Sequence, residues 1–213
     1  SPSAQYVKVP DDPILRLDNF TIAVFFKSAT YPDAVVRPLL MKGTRWTWAK
    51  FNYGLFLVKA LRIYSIFGDG TDHYALYASV TADAWHFAAT TYDGSHLRLY
   101  VDGEEPVSPL SVSITPYKST ETIWIGRSDS YSLDGLEATV FLYNRALSQG
   151  ELRYLMLNYH NPIRDGLVLW LPMEEGNGTT VYDKSGNGFN GTLHGDISWT
   201  RTKMWELRAE VGI

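Results

Sequence analysis

The chain of 213 residues contains no cysteine, so neither disulfides nor thiolate metal sites hold its fold. It has no apolar run close to the roughly 20 residues that span a bilayer, which excludes membrane insertion by a helix. A basic excess is also missing. The 19 Lys and Arg residues against 23 Asp and Glu leave a net charge of -4, and nothing electrostatic recommends nucleic acid or an anionic membrane as a partner. The sequence opens Ser1-Pro2-Ser3-Ala4 with no hydrophobic leader, so any secretory leader is expected to have been removed or to lie outside this sequence.

Catalytic patterns are scarce as well. A sandwich glycosidase needs carboxylates at alternate strand positions, as in Glu-x-Asp-x-x-Glu, and no Glu here is followed two positions later by Asp. Glu104-Glu105 and Glu174-Glu175 are adjacent pairs that would diverge if extended, and they read as solvated loop charge. The histidines (His73, His86, His96, His160 and His194) form no close ligand pair, and no Gly-x-Ser-x-Gly elbow or phosphate loop occurs. The chain is therefore expected not to be an enzyme.

What is present is β-forming. Aromatic residues make up 14% of the chain, a load that suits strands and excludes disorder. The strongest pattern is the run from Trp85 to Gly103. Leu97, Leu99 and Val101 alternate with His96, Arg98, Tyr100 and Asp102, the period of two of a strand with one buried and one wet face. Asp93-Gly94 and Asp102-Gly103 supply the turns. Further strands are predicted near residues 6–9, 20–27, 39–43, 53–58, 61–67, 74–77, 122–126, 138–143 and 166–171. Ser148-Gln149-Gly150-Glu151 has capping-box spacing ahead of an apolar stripe of Leu152, Leu155 and Met156, predicting one short helix. Many short strands and one helix predict an all-β fold, a two-sheet antiparallel jelly-roll sandwich.

The run "WHFAATTYDGSHLRLYVDG", the opening "YVKVPDDPILRLDNFTIAVFFK" and the stretch from Leu133-Asp134-Gly135 to Tyr143-Asn144-Arg145-Ala146-Leu147-Ser148 occur in the order found in laminin-G-like domains. The chain resembles this family of the concanavalin A-like lectin/glucanase superfamily, which mostly binds rather than catalyses. The resemblance implies an extracellular, cell-surface or virion-surface module for adhesion or recognition. Its partner would be a glycan or a cell-surface protein, with carbohydrate the favoured class. Asn19, Asn177 and Asn190 each open a glycosylation sequon, in keeping with that setting.

One segment is out of family order. Gly166-Leu167-Val168-Leu169-Trp170-Leu171-Pro172 and the Gly-rich stretch to Thr192 resemble the elements that normally open such a domain, as Trp205-Glu206-Leu207-Arg208 resembles the strand leading into it. Three arrangements follow. Residues 165–213 supply strands to their own sandwich, making one circularly permuted domain over 1–213; or they complete a neighbouring molecule, building a filament or lattice by strand exchange; or they begin a following repeat.

Two sites are expected. Trp46 and Trp48, flanked by Arg45 and Lys50, would face one side if extended and form a ligand platform together with Tyr53; the alternative is that the tryptophans cap one end of the core. Asp183, Asn187 and Asn190 crowd oxygen donors and glycines into one loop. The resemblance implies a structural calcium ion there, while an Asx-rich turn closed by its own hydrogen bonds is the alternative. The family acids that support that region are replaced at Ala138 and Thr139.

Overall fold

The computed structural model describes residues 6–29, 36–44, 47–128, 131–133, 135–195 and 199. In chain order the elements are β1 (Tyr6–Val9), β2 (Phe20–Ser28), β3 (Arg37–Gly43), β4 (Phe51–Val58), β5 (Arg62–Gly68), β6 (His73–Ser79), β7 (Trp85–Tyr92), β8 (His96–Val101), β9 (Leu110–Ser111), β10 (Ile123–Ile125), β11 (Arg127–Ser128), β12 (Tyr131–Ser132), β13 (Gly135–Tyr143), α1 (Gln149–Leu157), β14 (Leu167–Leu171), β15 (Thr180–Val181) and β16 (Gly191–His194). Two antiparallel sheets form a jelly-roll-like sandwich. One has eight strands in the order β15-β16-β1-β10-β3-β4-β5-β6, the other six in the order β14-β13-β2-β7-β8-β9.

The alternation read from the sequence fixes the inner layer. Phe20, Ile22, Val24 and Phe26 of β2 pack with Leu97 and Leu99 of β8 against Tyr53, Leu55, Leu57 and Ile63 of the opposite sheet. The outer face of the six-stranded sheet departs from the expectation of a wet side. All of β7 is buried, because Trp85, Phe87 and Ala89 lie beneath Leu152, Leu155 and Met156 of α1. The helix therefore makes a third layer over a sheet that is apolar on both faces.

The helix is held where the pattern put it. Ser148 and Glu151 form the reciprocal capping box, and Arg145 donates to Glu151 at 2.7 Å. That hydrogen bond holds the Glu151 carboxyl down at about 2. Arg153 Nε and Gln149 Nε2 donate to the Gly103 carbonyl at 3.1 and 2.9 Å, docking α1 on the turn after β8. Asp102 locks the same turn from inside the hairpin: its carboxylate accepts from the Phe87 backbone N–H and from His86 Nδ1, each at 2.8 Å.

The strands after residue 165 lie at one edge of each sheet. β14 pairs antiparallel with β13, setting Phe141 opposite Trp170 and Leu142 opposite Leu169. β16 pairs with β1, with Val7 opposite Leu193, and carries β15 beyond it. The similarity of Trp205–Arg208 to a leading strand falls outside the described residues.

Candidate functional site

Among the described residues no α-helix lies over the outer face of the eight-stranded sheet, and that face is where aromatic side chains collect. β4, β5 and β6 bring Val58, Arg62, Tyr64 and Tyr77 together, since Val58 opposes Arg62 and Tyr64 opposes Tyr77 in register. With Val36 and Trp48 these side chains line a groove of about 370 Å³, near the lower end of the range for small-molecule sites. Tyr77 is 56% exposed, a large aromatic surface left to water at the groove wall. The Arg62 guanidinium lies over its ring, 4.8 Å from the centroid. Burial pushes the neighbouring Tyr64 phenol above its ordinary pKa, so it remains a neutral donor and acceptor at physiological pH.

Trp48 reaches this groove from a short 3-10 turn, residues 48–50, rather than from an extended segment. Its ring stacks on Phe51 at 5.4 Å and meets Phe56 and Tyr64 edge-on. Gly68 seats the turn: a Cβ there would stand 2.2 Å from the Ala49 carbonyl oxygen, so any side chain would drive the turn off the sheet. Trp48 thus packs on the outer face of the sheet and lines one wall of the groove.

The remaining members of the expected platform fare differently. Arg45 and Trp46 lie outside the described residues. Tyr53 is corrected to a core residue. It is 0% exposed, and its hydroxyl donates to the Leu15 carbonyl at 2.8 Å between the sheets, because it sits on the inward parity of β4. The groove residues that sequence reasoning missed were Arg62, Tyr64 and Tyr77. Their signal was present: each occupies an outward parity position beside a buried Ile63 or Ala78.

The oxygen-rich loop at residues 183–190 does something other than gather oxygens around an ion. Asp183 Oδ1 accepts from the backbone N–H of Trp170 and Ser185, and Oδ2 from Ser185 Oγ and the Phe189 N–H. Asn187 donates its amide to the Val168 carbonyl at 3.0 Å, and Asn190 accepts from the Asp183 N–H at 2.9 Å. Together with the Lys184 N–H, which donates to the Trp170 carbonyl, these bonds cover the outer edge of β14. An open strand edge leaves N–H and C=O groups unpaired, and this loop satisfies them. The donor set does not fit a calcium ion as arranged, because the carboxylate is already saturated and Asn187 turns its amide nitrogen inward. No group of three His, Cys, Asp or Glu suited to a metal occurs among the described residues. Treatment with EDTA is accordingly expected to leave the melting temperature within about 1 °C, since only a group bound to the folded state shifts it. A drop of several degrees, reversed by added calcium in a calorimetric scan, would contradict this.

Several carboxylates and histidines elsewhere have structural partners. Glu104 pairs with Arg153, Glu174 with His160, and Glu175 accepts from the Tyr182 N–H. His86 has the spacing of an acid–base relay between Asp102 and Thr81. Its Nε2, however, accepts from the Thr81 backbone N–H at 3.2 Å, which occupies the lone pair that would activate a hydroxyl.

A two-sheet antiparallel sandwich with aromatic side chains gathered on one outer face defines a lectin-like module. The family described as the concanavalin A-like lectin/glucanases superfamily, in its laminin-G form, matches residues 1–153, and the chain belongs to it. No curated protein matches the sequence. Among solved structures, the chain is similar to a Bacteroides ovatus protein provisionally assigned as carbohydrate binding, at 16% identity and a TM-score of 0.70 over 93% of this chain; it spans 61% of that protein's length. It is also similar to the carbohydrate-binding module CBM40 of the Ruminococcus gnavus IT-sialidase, solved with α2,3-sialyllactose. There the identity is 17% and the TM-score 0.58, covering 73% of this chain and 94% of the other. A pentraxin of Limulus polyphemus shares the sandwich at 9% identity and a TM-score of 0.50, over 71% of this chain and 81% of its own.

Proposed function

We propose that the protein is a non-catalytic carbohydrate-binding module acting outside the cell, and that it docks a sugar ring in the groove of Trp48, Tyr64, Tyr77 and Arg62. The observation that carries this reading is the exposed ring of Tyr77 facing Trp48 across an apolar groove with one cation at its rim. Sugar rings present C–H faces that stack on aromatic rings and hydroxyls that seek fixed polar groups, and the groove offers both. Two of the similar structures bear names of carbohydrate binders, which supports the class without identifying the sugar. Residues 165–213, in the same reading, complete the sandwich they belong to, giving one permuted domain.

A glycan-array screen followed by titration calorimetry tests the groove. Tyr77→Ala is expected to lower affinity for the best glycan about tenfold, the equivalent of roughly 1.4 kcal/mol, with the melting temperature unchanged because the ring is mostly in water. Trp48→Ala should weaken binding at least as much and also destabilise, since its ring packs on Phe51. Unaltered binding in both variants would move the site elsewhere.

A further inference from the structure

The outer face of the eight-stranded sheet has a second aromatic cluster, four strands from the groove. Tyr6 of β1 stacks between Trp124 of β10, at 5.2 Å, and His194 of β16, at 4.8 Å. Lys8 Nζ stands 4.1 Å over the Trp124 ring, and the Arg127 guanidinium 5.0 Å over Tyr6. Rings stacked across adjacent strands stand edge-out, so the cluster offers the tyrosine hydroxyl, imidazole and indole edges beside two cations, rather than one flat platform.

The charge on this face is one-sided. The chain has 23 Asp and Glu residues among 213, yet none lies in any strand of the eight-stranded sheet. A buried sheet face excludes charge of both signs. The outward positions of this sheet's strands carry Lys8, Arg62, His73 and His194, and Arg127 of the neighbouring β11 reaches the Tyr6 ring. The described ion pairs include neither Lys8 nor Arg62, whose cations rest on aromatic rings instead. Between the two clusters runs a cross-strand row, Lys8–Trp124–Met41–Gly54–Ile66–Ala75, which carries no charge after Lys8 and whose Met41 and Ile66 are buried with Phe51 and Phe56, Trp48 and Trp124 packing against them. At about 4.8 Å per strand, the clusters lie roughly 20 Å apart.

We infer that this face binds an extended anionic polysaccharide, an acidic group of one unit held by Lys8 with Tyr6, Trp124, His194 and Arg127 while a ring further along the chain fills the groove of Trp48 and Tyr77. The inference rests on the carbohydrate-binding reading and adds to it the charge and length of the ligand. Carboxylate and sulfate groups share the required chemistry, and matched polymers separate them.

The experiment measures binding by biolayer interferometry to polygalacturonate and its fully methyl-esterified form, and to dextran sulfate and plain dextran. At 50 mM NaCl at least one charged polymer is expected to bind about tenfold tighter than its neutral counterpart. The gap should shrink at 500 mM NaCl, where screening operates within about 4 Å. The carboxylate or sulfate pair that shows it identifies the acid. Lys8→Gln combined with Arg127→Gln should bring the charged polymer down to the neutral level while the neutral polymer binds as before, and Lys8→Glu alone should weaken the charged polymer further than Lys8→Gln alone. Equal affinity for charged and neutral polymers, both lost in Tyr77→Ala, overturns the anionic preference and leaves the carbohydrate reading standing. A charge preference that survives in the Lys8 and Arg127 variants places the acid elsewhere and overturns the assignment to this face. Failure of every polymer here, together with an empty glycan array, removes both readings.

Discussion

A chain ending at Asp165 is expected to lose its cooperative thermal transition and to aggregate on expression. The truncation removes β14 from one sheet and β15 and β16 from the other. Leu169, Leu171 and Val181 are fully buried, and Leu167, Val168 and Trp170 nearly so. At about 1.5–3 kcal/mol for each large apolar side chain withdrawn from water, their loss is as large as the roughly 5–15 kcal/mol by which a domain is stable. It also uncovers β13 and β1 as new sheet edges, with their hydrogen-bonding groups unpaired. A truncated chain that still melts cooperatively, near the temperature of the full chain, would show that the segment is dispensable. Light scattering on the full chain separates the two ways of using it. A single species at 24.1 kDa accords with strands that complete their own sheets, whereas discrete ladders or fibres would favour exchange between molecules.

The second large effect is expected at Asp11, where Asp11→Asn should cost about 3–5 kcal/mol and lower the melting temperature by roughly 10 °C. Asp11 lies in the loop after β1 and accepts from Arg16 and from Lys42 Nζ. Lys42 is 0% exposed, and its other polar contact among the described residues is the Glu121 carbonyl at 2.7 Å. Neutralising Asp11 leaves that ammonium buried without a counter-charge, the costly case for an ion pair. Lys42→Met should cost far less, since Asp11 keeps Arg16 and the apolar stem is replaced. The double variant should recover much of the loss, and equal losses in Asp11→Asn and Lys42→Met would refute this account. The pH dependence follows from the same contacts. Burial pushes the Asp11 carboxyl up, but the hydrogen bonds from Arg16 and Lys42 outweigh it and hold the pKa below its ordinary value. A depressed folded pKa makes this contribution complete above about pH 4, and it is lost as the pH falls through the folded value. Denaturant midpoints for the wild type should therefore fall more steeply below pH 4 than those of Asp11→Asn.

Much of the fold was legible because it rests on local periodicity. The run from Trp85 to Val101 folds as the hairpin its alternation predicts, with turns at Asp93-Gly94 and Asp102-Gly103 where positive φ is needed: 94° at Gly94 and 52° at Asp102. The capping box at Ser148 was equally plain. The candidate site was less so. Trp48 was visible as a loop tryptophan, but its partners Arg62, Tyr64 and Tyr77 come from strands whose register brings them together only in the sheet. Parity misassigned Tyr53, since which side of β4 faces inward depends on β3 and β5. The Asp183 loop looked like an ion site because oxygen donors near glycines serve both a cation and a strand edge; only the position of β14 shows which groups those oxygens meet.

By itself, then, the sequence determined the β character, the hairpin and its turns, the helix start and the family, because each depends on residues within a few positions of one another or on an ordered set of motifs. The tertiary structure alone decided which aromatics share the outer face of the eight-stranded sheet, why α1 covers the outer side of β7, and how the strands after residue 165 border both sheets. Those outcomes depend on pairings between residues more than a hundred positions apart, such as Tyr6 with His194. No local pattern encodes them, since a strand's side-chain period is the same whichever neighbour it finds.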